Sequence, residues 1–213
     1  MNNLAVDLFK DIPSLDNKYT KPEQTQKAVV VLGSSKTTEP LMEYMELCSQ
    51  TTKELVQNGY NIVTGCGTKG IMGAAYNAAK DASVVNLEGK PLQNLAIVVK
   101  PLWGDENLND CVIIGKASSE SERIIKFTKV ADNFVIFPGG TTTLQEAATI
   151  IRYNVHSEEN KFKQIILVGK EYFAGLKQQY ETMAKLQLVK KAPETIFKIL
   201  SEKNEIIKAI LKR

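Results

Sequence analysis

The feature that most restricts this chain is a regular alternation, from Lys27 onward, between short β-branched runs and stretches with helical spacing. Ala28 to Leu32, Tyr60 to Thr64, Leu95 to Val99, Asn133 to Phe137 and Gln164 to Val168 are the runs, and their composition suits strands buried on both faces. Between them, Leu41, Tyr44, Met45, Cys48, Leu55 and Val56 recur at helical intervals, as do Leu144, Ala147, Ala148 and Ile151. A βαβ series of this kind predicts an α/β, Rossmann-like fold, a mostly parallel sheet sandwiched between helices with ligands at the carboxyl ends of the strands.

With 213 residues, a single domain over 27–213 is expected, preceded by a helix or arm over 1–26 in which Pro13 and Pro22 stand among polar residues. At the other end, Pro193 is placed to open a packing helix carrying Ile196, Phe197, Leu200, Ile207 and Leu211. A net charge of +3, from 27 basic and 24 acidic residues, is too small to point to nucleic acid or a membrane surface. No run approaches a membrane span, and MNNLAVDLFKDI lacks a basic start before an apolar stretch, so a cytoplasmic location is expected. Cys48, Cys66 and Cys111 fit neither a disulfide framework nor a CxxC metal site, and are expected to be reduced and mostly buried. His156 is the single histidine; a serine triad, a Cys-His pair and a multi-histidine zinc site would each have to use it. No metal is expected.

Three strand ends are marked by glycine. The first is Gly33-Ser34-Ser35, either an ordinary turn or a place where hydroxyls and N–H groups hold an oxyanion. The second is Gly65-Cys66-Gly67-Thr68-Lys69-Gly70-Ile71-Met72-Gly73. Its Gly65, Gly67 and Gly70 complete GxGxxG, and Glu88 lies 23 residues beyond Gly65, which keeps a dinucleotide-dependent oxidoreductase as an alternative. Against it, the dinucleotide fingerprint belongs on the first βα turn, not the second.

The third is the most informative. Phe134 to Phe137 stops at Pro138-Gly139-Gly140-Thr141-Thr142-Thr143-Leu144-Gln145-Glu146. A helix starting among these threonines offers unpaired N–H groups, a positive dipole end and hydroxyls, which suit a phosphate monoester. At 100° per residue, Leu144, Ala147, Ala148 and Ile151 face the core while Thr142 and Glu146 lie opposite. Thr143 to Glu146 also reads as a capping box, so Glu146 is either a reactive carboxylate or a cap.

These motifs resemble the LOG family, phosphoribohydrolases once labelled lysine decarboxylases, whose signature is PGGxGTxxE with an upstream catalytic arginine. Here the signature reads PGGTTTLQE, and Arg123 stands 15 residues before Pro138. The resemblance runs roughly from Lys27 to Lys185. Cytokinin-activating members carry Arg-Lys, whereas this chain has Arg123-Ile124. The stretch ERIIKFTKVADNFVIFPGG, with HSEEN at 156–160, is more similar to the bacterial pyrimidine/purine nucleotide 5′-monophosphate nucleosidases. One residue departs from the pattern: Thr142 replaces the second-motif glycine.

The resemblance implies hydrolysis of the N-glycosidic bond of nucleoside 5′-monophosphates of the AMP, GMP, IMP, CMP and UMP class, without a cofactor. It implies Glu146 and Arg123 as catalytic residues. Gly33, Ser34, Ser35, Gly67, Gly70, Met72, Gly139, Gly140, Thr141, Thr142 and Thr143 become substrate contacts. On local sequence alone a surface pair of Arg123 with Glu120 is the favoured reading, while Met72, Lys69 and Trp103 either border the base or are simply packed or solvent-exposed. A homodimer or larger homo-oligomer is also implied. The alternative from another class is a carrier of the same fold that grips a nucleotide-like ligand without hydrolysing it, and Thr142 favours it. No lysine has a recognisable setting for a pyridoxal Schiff base.

Overall fold

The computed structural model describes residues 27–65, 67–82, 94–99 and 112–212. The arm over 1–26, Cys66, Glu88, Trp103 and Cys111 lie outside the described residues. Among the described residues, seven strands, β1 (Ala28–Leu32), β2 (Asn61–Thr64), β3 (Asn94–Val99), β4 (Val112–Ala117), β5 (Asn133–Ile136), β6 (Gln164–Val168) and β7 (Lys198–Leu200), form one sheet. Their order is β4-β3-β2-β1-β5-β6-β7, and every pairing is parallel. The helices are α1 (Met42–Gln57), α2 (Gly70–Asp81), α3 (Glu120–Val130), α4 (Thr141–His156), α5 (Ala174–Lys185), the single turn α6 (Pro193–Ile196) and α7 (Lys203–Leu211).

The strand period of two sends alternate residues to opposite faces of the sheet. Ala28, Val30 and Leu32 meet Ile124 and Phe127 of α3 and Ala147, Ile150 and Ile151 of α4. Val29 and Val31 meet Cys48 and Leu55 of α1, Ile71 and Ala75 of α2, and Ile206 and Ile210 of α7. Both faces are therefore covered, which is why the strands read as unbroken apolar runs. Each fully buried Ile, Leu or Phe in these layers contributes roughly 1.5–3 kcal/mol of transfer free energy.

Two expectations are corrected. The sheet is wider than the five runs, because Val112–Ala117 and Lys198–Leu200 add strands at its two edges. The last segment is also not one helix. Pro193 does open a turn, but Lys198–Leu200 then pairs with Ile166–Val168 before α7 begins. The open edge of β6 takes the backbone of this stretch into the sheet, and helical spacing alone does not register that competition.

The topology also fixes where a ligand belongs. The chain winds outward from β1 to β4, then returns to the other side of β1 and winds outward again through β5, β6 and β7. Connections after β1 and after β5 therefore diverge and open a crevice at the carboxyl ends of these two strands. Across it, the Phe137 N–H donates to the Leu32 carbonyl at 2.9 Å and the Ser34 N–H to the Pro138 carbonyl at 3.0 Å.

Candidate active site

At the head of this crevice α4 begins at Thr141, with Gly140 as N-cap in extended backbone and no capping side chain. The Leu144 N–H returns to the Gly140 carbonyl at 3.0 Å. The N–H groups of Thr141, Thr142 and Thr143 find no acceptor among the described residues. Gly140, Thr141 and Thr142 are exposed, so the positive end of the helix faces solvent. Thr143 is instead buried, its side chain packed beneath Gly139.

One turn further along, Glu146 lies on the inner side of α4, only 4% exposed. This corrects the helical projection: the buried stripe is Thr143, Glu146, Ala147, Ile150, Ile151 and Asn154, while Leu144 is 47% exposed. The cause is a partner outside the helix. Arg123 of α3, itself 7% exposed, donates from Nη2 to Glu146 Oε1 at 3.2 Å. Buried charge is tolerated when paired and hydrogen-bonded, and this pair turns a polar residue inward against the apolar pattern. The surface pairing of Arg123 with Glu120 is not formed, nor does Glu146 cap its own helix; its described side-chain partner is Arg123.

Arg123 is held from several directions. Ser119 N-caps α3, accepting from the Glu122 N–H at 3.2 Å, while Ser118 donates N–H and O–H to Glu122 Oε2 at 2.7 and 2.6 Å. Those bonds, with Lys126 nearby, lower the Glu122 carboxyl to about 2 and fix where α3 starts. The guanidinium stands over Phe127 at 5.9 Å, and a Cβ at Gly65 would come within 3.1 Å of Nη1. Gly65 thus leaves room for the arginine, a role the glycine pattern did not announce. Arg123 Nε is buried and has no acceptor among the described residues.

Burial pushes the Glu146 carboxyl up to about 7; the Arg123 guanidinium opposes the shift without cancelling it, and the charge of Glu120 adds to it. A carboxyl poised near neutrality beside a permanent cation at a crevice has the character of an acid–base or charge-stabilising group.

The other glycine loops meet here with different functions. The Ile71 and Met72 N–H groups donate to the Ser34 carbonyl at 2.8 and 3.3 Å, the Gly70 N–H to Thr37 Oγ1 at 3.2 Å, and the Gly73 N–H to the Lys69 carbonyl at 2.9 Å. The first-turn donors of α2 are thus bonded inside the protein, in contrast to those at the tip of α4. Gly33 is packed between Ile71 and Phe137, and Gly70 sits at φ +60° under the Ser34–Lys36 backbone. Ser34 is buried, with Oγ accepting from the Lys36 N–H at 2.9 Å, while Ser35 is exposed. Gly67 and Met72 are half-buried and face each other, and Lys69 is exposed.

Away from the crevice, Cys48 is buried and its thiol is pushed up to about 12 by burial, so it is inert. His156 is exposed at the far end of α4. Among the described residues no cluster of three or more His, Cys, Asp or Glu is able to hold a metal, and no helix is long and apolar enough to cross a membrane. Two roomy grooves, of about 690 and 720 Å³, lie elsewhere, and neither is lined by Arg123 or Glu146. Charge and unpaired donors, rather than volume, single out the crevice.

A family model described as "possible lysine decarboxylase" matches residues 67–210, a span that includes Arg123, the Pro138–Glu146 signature and the helix behind it. The chain belongs to this family, that of the LOG-type proteins. Within it, the chain is 29% identical over 112 residues to the cytokinin riboside 5′-monophosphate phosphoribohydrolase LOG of Oryza sativa subsp. japonica; the match covers 52% of this chain and 43% of that one, under half of the relative's length. Among solved structures, the molybdenum cofactor binding protein of the phototrophic bacterium Rippkaea orientalis superposes with a TM-score of 0.58 at 19% identity, covering 88% of this chain and 96% of that one. The molybdenum cofactor carrier protein of Chlamydomonas reinhardtii gives 0.57 at 15% identity, covering 88% and 99%. Those likenesses establish the Rossmann-like fold.

Proposed function

We propose that the protein hydrolyses the N-glycosidic bond of nucleoside 5′-monophosphates, releasing free base and ribose 5-phosphate. The observation that carries the proposal is the buried Arg123–Glu146 pair one turn below an uncapped, exposed helix N-terminus. The Gly140–Thr142 tip supplies the donors and dipole that a 5′-phosphate requires. Phosphate anchored there brings C1′ of the sugar toward Glu146, so that phosphate binding contributes to orientation at the reacting carbon.

Breaking the bond between C1′ and the base nitrogen sends its electron pair to the base and develops positive charge on the sugar. The Glu146 carboxylate stabilises that charge and orients the water whose oxygen bonds to C1′, while the proton that this water gives up ends, through solvent, on the nitrogen of the departing base. Arg123 holds the carboxylate in place and keeps it from being neutralised entirely by burial. In the same reading, Ser35, Met72 and Gly67 border the ligand, while Gly33, Ser34, Gly70, Gly139 and Thr143 shape the loops beneath it. A homodimer or larger homo-oligomer accompanies this reading, and light scattering decides it by mass.

The test is incubation with AMP, GMP, IMP, CMP and UMP, followed by assay of free base and ribose 5-phosphate. Release from at least one is expected, and no release from any would overturn the proposal. A second reading, a carrier of a nucleotide-like ligand such as the one named for the Rippkaea and Chlamydomonas proteins, is favoured by Thr142 at the glycine position. It predicts stoichiometric retention of a phosphorylated ligand without product.

A further inference from the structure

Tyr172 lies 33 residues beyond Gly139 in sequence, outside every glycine motif, yet it meets that residue twice. Its hydroxyl donates to the Gly139 carbonyl at 2.5 Å and accepts from the Gly139 N–H at 3.3 Å. The N–H belongs to the Pro138–Gly139 peptide and the carbonyl to the Gly139–Gly140 peptide, so a single oxygen fixes the planes on both sides of the glycine. The tyrosine is itself anchored. Its ring meets the buried Phe173 edge-on at 4.7 Å and 84°. Its loop is tied to the sheet through the Gly169 N–H, which donates to the Leu200 carbonyl at 2.9 Å.

In a trans peptide the carbonyl and the following N–H point in opposite directions. With the Gly139 carbonyl held by Tyr172, the Gly140 N–H, on the residue that N-caps α4, is turned away from the tyrosine. Gly139 and Gly140 lack Cβ atoms, so rotation of the peptide between them meets little steric resistance. Once rotated, it would present a carbonyl oxygen to an anion. The buried Thr143 beneath Gly139 limits movement from below, but it makes no bond to that peptide among the described residues.

We infer that Tyr172 is a positioning residue for the phosphate end of the ligand: its hydroxyl locks the Gly139–Gly140 peptide in the orientation that offers N–H rather than C=O. This rests on the phosphate-cradle reading above and goes beyond it by naming what selects anions there. The decisive variant is Tyr172→Phe, which keeps the ring against Phe173 and removes only the hydroxyl.

Binding of ribose 5-phosphate, which is not hydrolysed, is measured by calorimetry beside binding of neutral ribose, with melting temperatures as a folding control. The variant is expected to bind ribose 5-phosphate about tenfold more weakly, or about 1.4 kcal/mol, with ribose binding and melting temperature unchanged. With the best of the five monophosphates as substrate, KM rises by the same factor and kcat stays within twofold. Unchanged ribose 5-phosphate affinity, equal weakening for ribose, or no ribose 5-phosphate binding by the natural protein would each overturn the inference. Tight, Tyr172-dependent ribose 5-phosphate binding without base release would sustain it while sinking the hydrolase reading.

Discussion

Two glycine-rich turns in this protein carry a strand into a helix, and they are built for opposite purposes. In the turn from β2 to α2, the glycines serve close packing: a Cβ at Gly70 would lie 2.5 Å from the Ser34 carbonyl oxygen, and one at Gly73 would strike the Thr68 carbonyl. The helix donors there are bonded to Ser34, Thr37 and Lys69. In the turn from β5 to α4, a Cβ at Gly140 would meet nothing within 4 Å, and the helix tip is exposed and uncapped. The first turn is a bracket that holds the loop after β1; the second is left open, with a buried ion pair behind it. A glycine pattern thus says that backbones come close, and only the fate of the N–H groups says whether a ligand is what they come close to.

Substitution at Glu146 is the strongest way to break this contrast. Glu146→Gln keeps the shape and a hydrogen-bond acceptor for Arg123 but removes the carboxylate. A folded protein with base release lowered by roughly 10²–10³-fold or more is expected, measured with the best of the five monophosphates. Normal turnover would show that the open turn is not tied to chemistry.

Next come paired glycine substitutions. Gly70→Ala puts a side chain at φ +60° against fixed backbone and should cost about 2–4 kcal/mol of stability, read by denaturant unfolding. Gly140→Ala, in open space and extended backbone, should cost under about 1 kcal/mol while raising KM for the monophosphate. Equal stability losses at both positions would erase the distinction between bracket and open tip.

The pH dependence sharpens the contrast further. The Glu146 carboxyl is raised from 4.5 to about 7 in the folded protein. Its contribution to stability is fully present below the ordinary value and is lost as pH rises through about 7. Glu146→Gln should therefore gain stability relative to the natural protein as pH rises from 4.5 to about 7, seen as diverging melting temperatures. Turnover that needs the ionised carboxylate rises with pH across the same interval. The smallest effect is expected at the start of α3. Glu122→Gln weakens the bonds to Ser118 and Lys126 and should cost no more than about 1 kcal/mol, with base release little changed.

The fold was largely legible in the chain, because five of the strands are apolar runs long enough to declare themselves. The two edge strands were not, since Val112–Ala117 and Lys198–Leu200 are identified by the neighbours they pair with rather than by their own pattern. At the site, the PGG turn and the helix among the threonines were readable from glycine and threonine chemistry. The inward orientation of Glu146 was not, because helical periodicity counts apolar residues and cannot see a buried arginine 23 residues away. Tyr172 gave no local signal at all.

By itself the sequence determined which segments become strands, which faces are apolar, and that three glycine turns end at one edge of a parallel sheet. Those outcomes follow from period, propensity and backbone freedom, all of which act between near neighbours along the chain. Tertiary structure alone decided which turn keeps its N–H groups unspent, which way Glu146 points, and what raises its carboxyl toward neutrality. Each of these depends on desolvation and on partners brought together from distant segments, and such quantities exist only once the chain has folded.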